Sequence, residues 1–279
     1  GLWGSTLFER ILDDVADLGY EGIEGNQEAL ETFAREVARL RALLQERGLT
    51  LCAIPFPGHF FERDEKKAEI EALRRVADVV AEVSEGALVV FRSVPHPARR
   101  DMIAGHPPIL PLSRDQLARL ADTLNEYGDR CLGFGLRAAF QNRVGSYVET
   151  PDEFIEVVER TEPELVGLAP DVGHWAYAGG ELDTLFRVYR RRLVYPRLKD
   201  LDQAVFEHVC EERLGFRHFL QQGGFTPLGA GSLALEPALM RLENANYAGW
   251  VCVDLEPTSE TPRGAAEQSR TYLRERLHW

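Results

Sequence analysis

Leu49-Thr50-Leu51-Cys52-Ala53-Ile54, then Lys66 through Val83, then Ala87-Leu88-Val89-Val90-Phe91 decide the fold between them. The two outer runs are almost wholly apolar, as strands buried on both faces must be. The middle segment repeats apolar residues at helical spacing (Ile70, Leu73, Ala77, Val80) against a charged face. Strand, two-faced helix and strand make one parallel unit, and the same beat continues in both directions. Upstream, Thr6 with Glu9 has a capping-box pattern before Leu7, Phe8, Ile11, Leu12, Val15 and Leu18. Gly19 stops that helix, Tyr20 to Glu24 is a short strand, and a second helix runs from about Glu31 to Glu46. Downstream come a helix from Ser113 to Tyr127, a strand from Phe134 to Phe140, and a helix opened by Thr150-Pro151-Asp152-Glu153 and ending at Arg160. Leu165–Ala169, Leu193–Leu198 and Trp250–Leu255 are strands; Asp183–Arg190, Leu235–Glu243 and Ala265–Leu277 are helices.

Seven strands and about eight helices with no linker predict a (β/α)8 TIM barrel occupying residues 1–279 as a single domain. The remaining strand must precede Thr6, where only Gly1-Leu2-Trp3-Gly4-Ser5 is available, so the first strand is short or partly missing. A doubly wound sheet is the rival, but Gly22-Ile23-Glu24-Gly25 lacks the spacing of a dinucleotide loop.

With 32 Lys+Arg against 45 Asp+Glu, the net charge of −13 repels phosphate backbones, so no nucleic-acid partner is expected. No apolar run reaches membrane-spanning length and no leader pattern opens the chain. Four scattered cysteines suit a reducing cytoplasm rather than a disulfide framework.

Working residues of such a barrel lie at the carboxyl ends of its strands. Those ends offer Glu24, Gln141-Asn142-Arg143, Asp171-Val172-Gly173-His174, Arg197-Leu198-Lys199-Asp200 and Asp254-Leu255-Glu256. Glu24 and Asp200 read equally well as caps of the following helices. Asp171 with His174 is the better functional pair, because apolar strand, Asp, Gly, His does not read as a helix start. Arg143 and Arg197 suit an anionic or polyhydroxylated ligand. Phe56, Phe60 and Phe61 either wall a pocket or cover the barrel top, and His59 and His96 are weaker candidates.

Five stretches in order carry a resemblance: Leu18 to Glu24, Val144 to Thr150, Leu165 to His174, Leu198-Lys199-Asp200, and Gly229-Ala230-Gly231 with Asn246 to Val251. Together they resemble the xylose isomerase-like TIM barrel superfamily of sugar isomerases and epimerases, and within it the inosose dehydratases. The resemblance implies a divalent metal, such as manganese or cobalt, held by Glu or His, then Asp, His and Glu at strands five to eight. Those places hold Gln141, Asp171, Arg197 and Asp254. Gln141 is a poor transition-metal ligand, and Arg197 has no lone pair to give. We therefore expect no cofactor, or a divalent metal only if the altered site still binds one. An Arg197 guanidinium forked between Asp171 and Asp254 would fill the metal's place, since opposed charges at about 4 Å gain roughly 4 kcal/mol before desolvation.

The chemistry implied is isomerisation, epimerisation or dehydration by proton transfer next to a carbonyl of a sugar or polyol. His174, Glu24 and Lys199 are the catalytic candidates, with Asn142, Arg143 and Arg197 contacting substrate. The alternative is a non-catalytic metabolite-binding relative or subunit that has lost the metal. The expected partner is a small sugar-like ligand, without a membrane, and assembly with further copies of the chain is left open.

Overall fold

The computed structural model describes residues 5–104, 106–256, 261–277 and 279. In chain order come α1 (Ser5–Asp17), β1 (Gly22–Glu24), α2 (Gln27–Phe33), α3 (Val37–Gln45), β2 (Thr50–Gly58), α4 (Lys66–Val83) and β3 (Leu88–Ser93). Then follow α5 (Arg114–Gly133), β4 (Arg137–Gln141), α6 (Pro151–Glu159), β5 (Gly167–Leu168), α7 (Val172–Tyr177) and α8 (Leu182–Val188). The chain ends with β6 (Arg197–Leu198), β7 (Asp200–Leu201), α9 (Gln203–Glu211), α10 (Phe216–Gln221), β8 (Phe225–Thr226), α11 (Leu235–Asn244), β9 (Cys252–Val253) and α12 (Pro262–Leu277). Of the Gly1–Ser5 stretch in which the first strand is expected, residues 1–4 lie outside the described residues and Ser5 begins α1. No described helix is long and apolar enough to cross a membrane.

The chain divides into two compact units. The first comprises Gly1–Arg92, Arg119–Phe140 and Thr161–Gly167. Its strands belong to a sheet of order β1-β2-β3-β4-β5, each neighbour in space also the neighbour in sequence. β1 runs parallel to β2, with Gly22 opposite Thr50 and Ile23 opposite Leu51. Helices between successive strands supply the long return that parallel pairing requires. β2 is longer than its apolar run predicts and continues through Pro55-Phe56-Pro57-Gly58. A Cβ on Gly58 would lie 2.6 Å from the Phe60 ring, so glycine lets the chain turn tightly there. The Glu69 carboxylate then receives the His59 and Phe60 N–H groups and the Tyr127 hydroxyl. Phe56 and Phe60 meet the Phe91 ring at 6.0 and 5.7 Å, and all three are buried. These aromatics fill the core of the first unit.

The second unit comprises Ser93–Ala118, Gln141–Arg160 and Leu168–Trp279. Here β6 pairs parallel with β9, and β7 pairs antiparallel with β8. Tyr177, Phe216, Phe219 and Phe225 form its aromatic core, with Tyr177 and Phe216 centroids 4.8 Å apart. The segment from Asp200 to Thr226, which periodicity left unassigned, supplies two short strands and two helices to this core.

α6 begins as its sequence predicts. Thr150 accepts the Glu153 N–H, and the Glu153 carboxylate returns to the Thr150 N–H. The same Glu153 carboxylate takes the guanidinium of fully buried Arg99, whose Nη1 also lies 3.6 Å from Glu149. Burial pushes the Glu149 carboxyl up to about 7, against the Gly145 N–H and Arg99, which lower it. A carboxyl raised in the fold contributes stability below its unfolded value, lost as pH rises toward its folded one. Glu149→Gln removes this titration. Urea unfolding should therefore show the variant gaining on the native protein between about pH 4.5 and 7, reaching about 3 kcal/mol and staying level above. A gain that shrinks with rising pH would contradict the assignment.

Candidate functional site

The strand ends of the second unit gather the charged candidates. Register does the placing. The Arg197 N–H donates to the Pro170 carbonyl, and the Asp254 N–H donates to the Leu198 carbonyl, so residues 171, 197–199 and 254 lie on adjacent chain segments. Residues two apart in extended chain share a face, which groups Arg197 with Lys199 and Asp254 with Glu256.

Lys199 sits at the centre. Its Nζ lies 3.3 Å from Asp171 Oδ2, 3.2 Å from Asp254 Oδ2 and 3.0 Å from Glu256 Oε1. It also stands 5.1 Å from the Phe225 ring centroid. Arg197 donates to Asp254 at 2.7 Å. The bridge between Asp171 and Asp254 is thus the Lys199 ammonium rather than the expected Arg197 fork. Arg197 serves Asp254, while the slimmer lysine reaches both carboxylates. Gly173 makes room for it: a Cβ there would be 2.7 Å from Lys199 Cβ and 2.8 Å from Phe225.

Burial pulls the Lys199 ammonium down, but Asp171, Asp254 and Glu256 more than offset it and hold the group charged. Burial raises Asp254, yet Lys199 and Arg197 outweigh it and keep this carboxyl well below the usual range. Asp171 is fully buried and displaced upward by that burial, against the pull of Lys199.

Asp171 and His174 do begin a helix, contrary to the sequence expectation. Asp171 caps α7, accepting the His174 N–H at 3.1 Å. A glycine in a first turn costs only about 1 kcal/mol, which the Asp cap offsets. The His174 ring is fully buried, 5.3 Å from the centroids of both Phe216 and Phe225. Its Nδ1 accepts the Val144 N–H, so the proton of the neutral ring rests on Nε2, 3.8 Å from Asp171 Oδ2. Burial, Lys199 and Arg143 all drive the imidazole well below its ordinary pKa.

Asn142 is a positioning group. Its side chain accepts the Asp171 N–H at 2.9 Å and donates to the Asp171 carbonyl at 3.3 Å. Gln141 ends β4, buried, with neither amide atom hydrogen-bonded among the described residues. Arg143 is half-buried and acts on His174 through its charge. Glu24 ends β1 in the first unit. Asp200 caps no helix; its carboxylate receives the N–H groups of Leu201, Gly229, Gly231 and Leu233, and Asp202 caps α9 instead. His96 closes a short turn by accepting the Ala98 N–H. Glu256 completes the cluster, and its two-residue spacing from Asp254 is the signal for it in the sequence.

These donors do not fit a divalent cation as they stand. An ammonium occupies the point on which the carboxylates converge, and a guanidinium holds the Asp254 oxygen nearest to it. No cluster of three or more metal-binding side chains is found among the described residues.

The family model described as xylose isomerase-like TIM barrel matches residues 12–276. The chain belongs to this family. Inosose dehydratase of Geobacillus kaustophilus is 28% identical over all of this chain and 90% of its own length. Among solved structures, the IOLI protein with a bound zinc atom superposes with a TM-score of 0.71 at 17% identity, covering 98% of this chain and 93% of that one. L-ribulose 3-epimerase gives a TM-score of 0.70 at 18% identity, covering 99% and 90%. The fold is therefore the TIM barrel read from the alternating strands and helices.

Proposed function

We propose that this chain binds a small, neutral sugar- or polyol-type ligand at the Lys199 cluster, without a metal ion and without turning it over. The observation that carries this is the Lys199 ammonium lodged among Asp171, Asp254 and Glu256. Two cations face three carboxylates, so the cluster favours hydroxyl donors over an anionic sugar phosphate. Asp254 and Glu256 keep 18% and 24% of their side chains exposed, enough to accept hydrogen bonds from ligand hydroxyls. Proton transfer next to a carbonyl needs a group that changes charge near neutrality. His174 is held neutral, Lys199 charged and Asp254 ionised, so these three are not poised for it.

The relatives named dehydratase and epimerase favour a second reading in which the chain catalyses proton transfer. One feature supports it: Glu256 reaches solvent 3.0 Å from an ammonium able to stabilise an enolate. A single experiment separates the two. Inositols, keto-inositols and pentoses are screened by thermal shift in EDTA, and carbonyl ligands that bind are incubated in D2O and followed by proton NMR. The first reading expects a ligand-dependent shift in EDTA with no deuterium entering beside the carbonyl. Deuterium incorporation would establish the second reading, and binding seen only with added metal would overturn both.

A further inference from the structure

We infer that Arg99, Glu149 and Glu153 form a proton-operated latch, which holds the strap of residues 106–112 closed while Glu149 keeps its proton and loosens it when Glu149 ionises. All of these groups lie in the second unit, the strap in the connection between β3 and α5 and the carboxylates in and just before α6. The strap depends on one side chain. Among the described residues, the backbone of residues 107–111 makes hydrogen bonds only with the Arg99 guanidinium, at the Ile109 and Leu110 carbonyls. His106, Pro107, Ile109, Leu110 and Pro111 are exposed, so little packing holds them, and such segments are the first parts of a fold to open. The same guanidinium reaches across to the Ser146 and Tyr147 carbonyls of the turn before α6. That turn also carries Val144, whose N–H fixes His174 Nδ1 and so links the latch to the candidate site.

The latch is short of one donor. The guanidinium N–H groups serve the Ile109, Leu110, Ser146 and Tyr147 carbonyls and both oxygens of Glu153. Glu149 Oε1 lies 3.6 Å from Nη1, beyond hydrogen-bond range, and Oε2 accepts the Gly145 N–H. While protonated, Glu149 leaves Arg99 matched to Glu153, one charge against one. Once ionised it sets a second carboxylate, 1% exposed, against a single buried guanidinium whose donors are all engaged. Admitting water relieves an unmatched buried charge, and the strap is the least-packed neighbour able to yield. Burial raises the Glu149 carboxyl to about 7 against the Gly145 N–H and Arg99, with Glu153 adding a smaller push, so the change falls near neutrality. Tyr177 of α7 also feels Glu149, but its phenol is raised chiefly by burial and stays neutral. His96, at the foot of the connection, stacks on Tyr147 and donates its N–H to the Gly145 carbonyl. The inference stands whether or not the Lys199 cluster takes a ligand.

The test is amide hydrogen exchange by NMR at pH 5 and pH 8, corrected for intrinsic rates, on the native chain and on Glu149→Gln. The native His96 and His106 amides, bonded to the Gly145 and Ile103 carbonyls, should lose protection at least tenfold at the higher pH. One proton allows at most tenfold per pH unit. In Glu149→Gln protection should stay high at both values, and because His96 is retained there its own charge cannot mimic the result. Amides of α4 and α12, measured alongside, should not follow the strap. Native protection independent of pH, an equal loss in Glu149→Gln, or an equal loss in α4 and α12 overturns the inference. If Glu149→Gln does not fold, the Glu149 carboxyl carbon is titrated in native protein labelled with 13C-glutamate. A midpoint that coincides with that of the exchange change supports the latch, and two separate midpoints overturn it.

Discussion

Lys199→Met is expected to cost about 3–5 kcal/mol of stability at neutral pH in the absence of metal, as does removal of one partner from other buried ion pairs. The lysine is 1% exposed, and its loss strands Asp171, which is fully buried, beside Asp254 and Glu256. Retaining charge but changing shape is not a remedy: Lys199→Arg places a planar fork where Gly173 leaves room only for a narrow stem. The sign of the pH dependence distinguishes this cause from lost packing. Native Asp254 is held well below the usual carboxylate range, so its contribution is present above its unfolded value and fades as pH falls through its folded one. In the variant the carboxylates lack their counter-ion, their folded values rise, and acidification relieves the repulsion. Urea unfolding at pH 7 and pH 5 should show the gap narrowing on the acid side. A gap independent of pH would assign the loss to packing alone.

Arg99→Met is expected to be comparably damaging, again about 3–5 kcal/mol, through a different segment. Arg99 is fully buried. Its Nε donates to the Ile109 carbonyl at 2.7 Å, Nη2 to the Leu110 carbonyl at 3.1 Å, and Nη1 to the Ser146 and Tyr147 carbonyls. The fork also grips Glu153, the capping residue of α6. Ile109 and Leu110 are exposed, and Leu110 holds a φ of 51°, a left-handed conformation that a leucine adopts only when its surroundings impose it. The arginine supplies that constraint. Hydrogen exchange should speed selectively around Ile109–Leu110 and in the first turn of α6. Uniform acceleration across the second unit would mean that the arginine stabilises the fold only globally.

How much of this was legible in the sequence depends on the range of the interaction. α4 runs from Lys66 to Val83 as its periodicity predicts, and the Thr150–Glu153 capping box forms as read, because both are local. The strands of the second unit are only two residues long: the apolar runs around β6 and β9, the first mostly buried and the second half-buried, continue as connecting chain rather than as ladder. α7 is not legible locally because Gly173 reads as a helix breaker. Its glycine answers a tertiary demand, the close approach of Lys199 and Phe225, that no local pattern encodes. The site was legible as a set of strand ends, and Asp171, Arg197, Lys199 and Asp254 do meet there. Which cation bridges Asp171 and Asp254 was not legible. It turns on the width and reach of two side chains two residues apart, and the lysine's narrower stem passes where the guanidinium does not.

The proposed function rests on a lysine ammonium, rather than a metal ion, supplying the positive charge among Asp171, Asp254 and Glu256. Proton–nitrogen NMR of protein labelled with 15N-lysine tests it most directly. The account predicts a protected ammonium resonance, absent from Lys199→Met, that persists to about pH 10, near the ordinary lysine value, and stays sharp when equimolar Mn2+ is added. A Lys199 signal that is lost near neutrality, or broadened by Mn2+ binding beside it, would contradict the account.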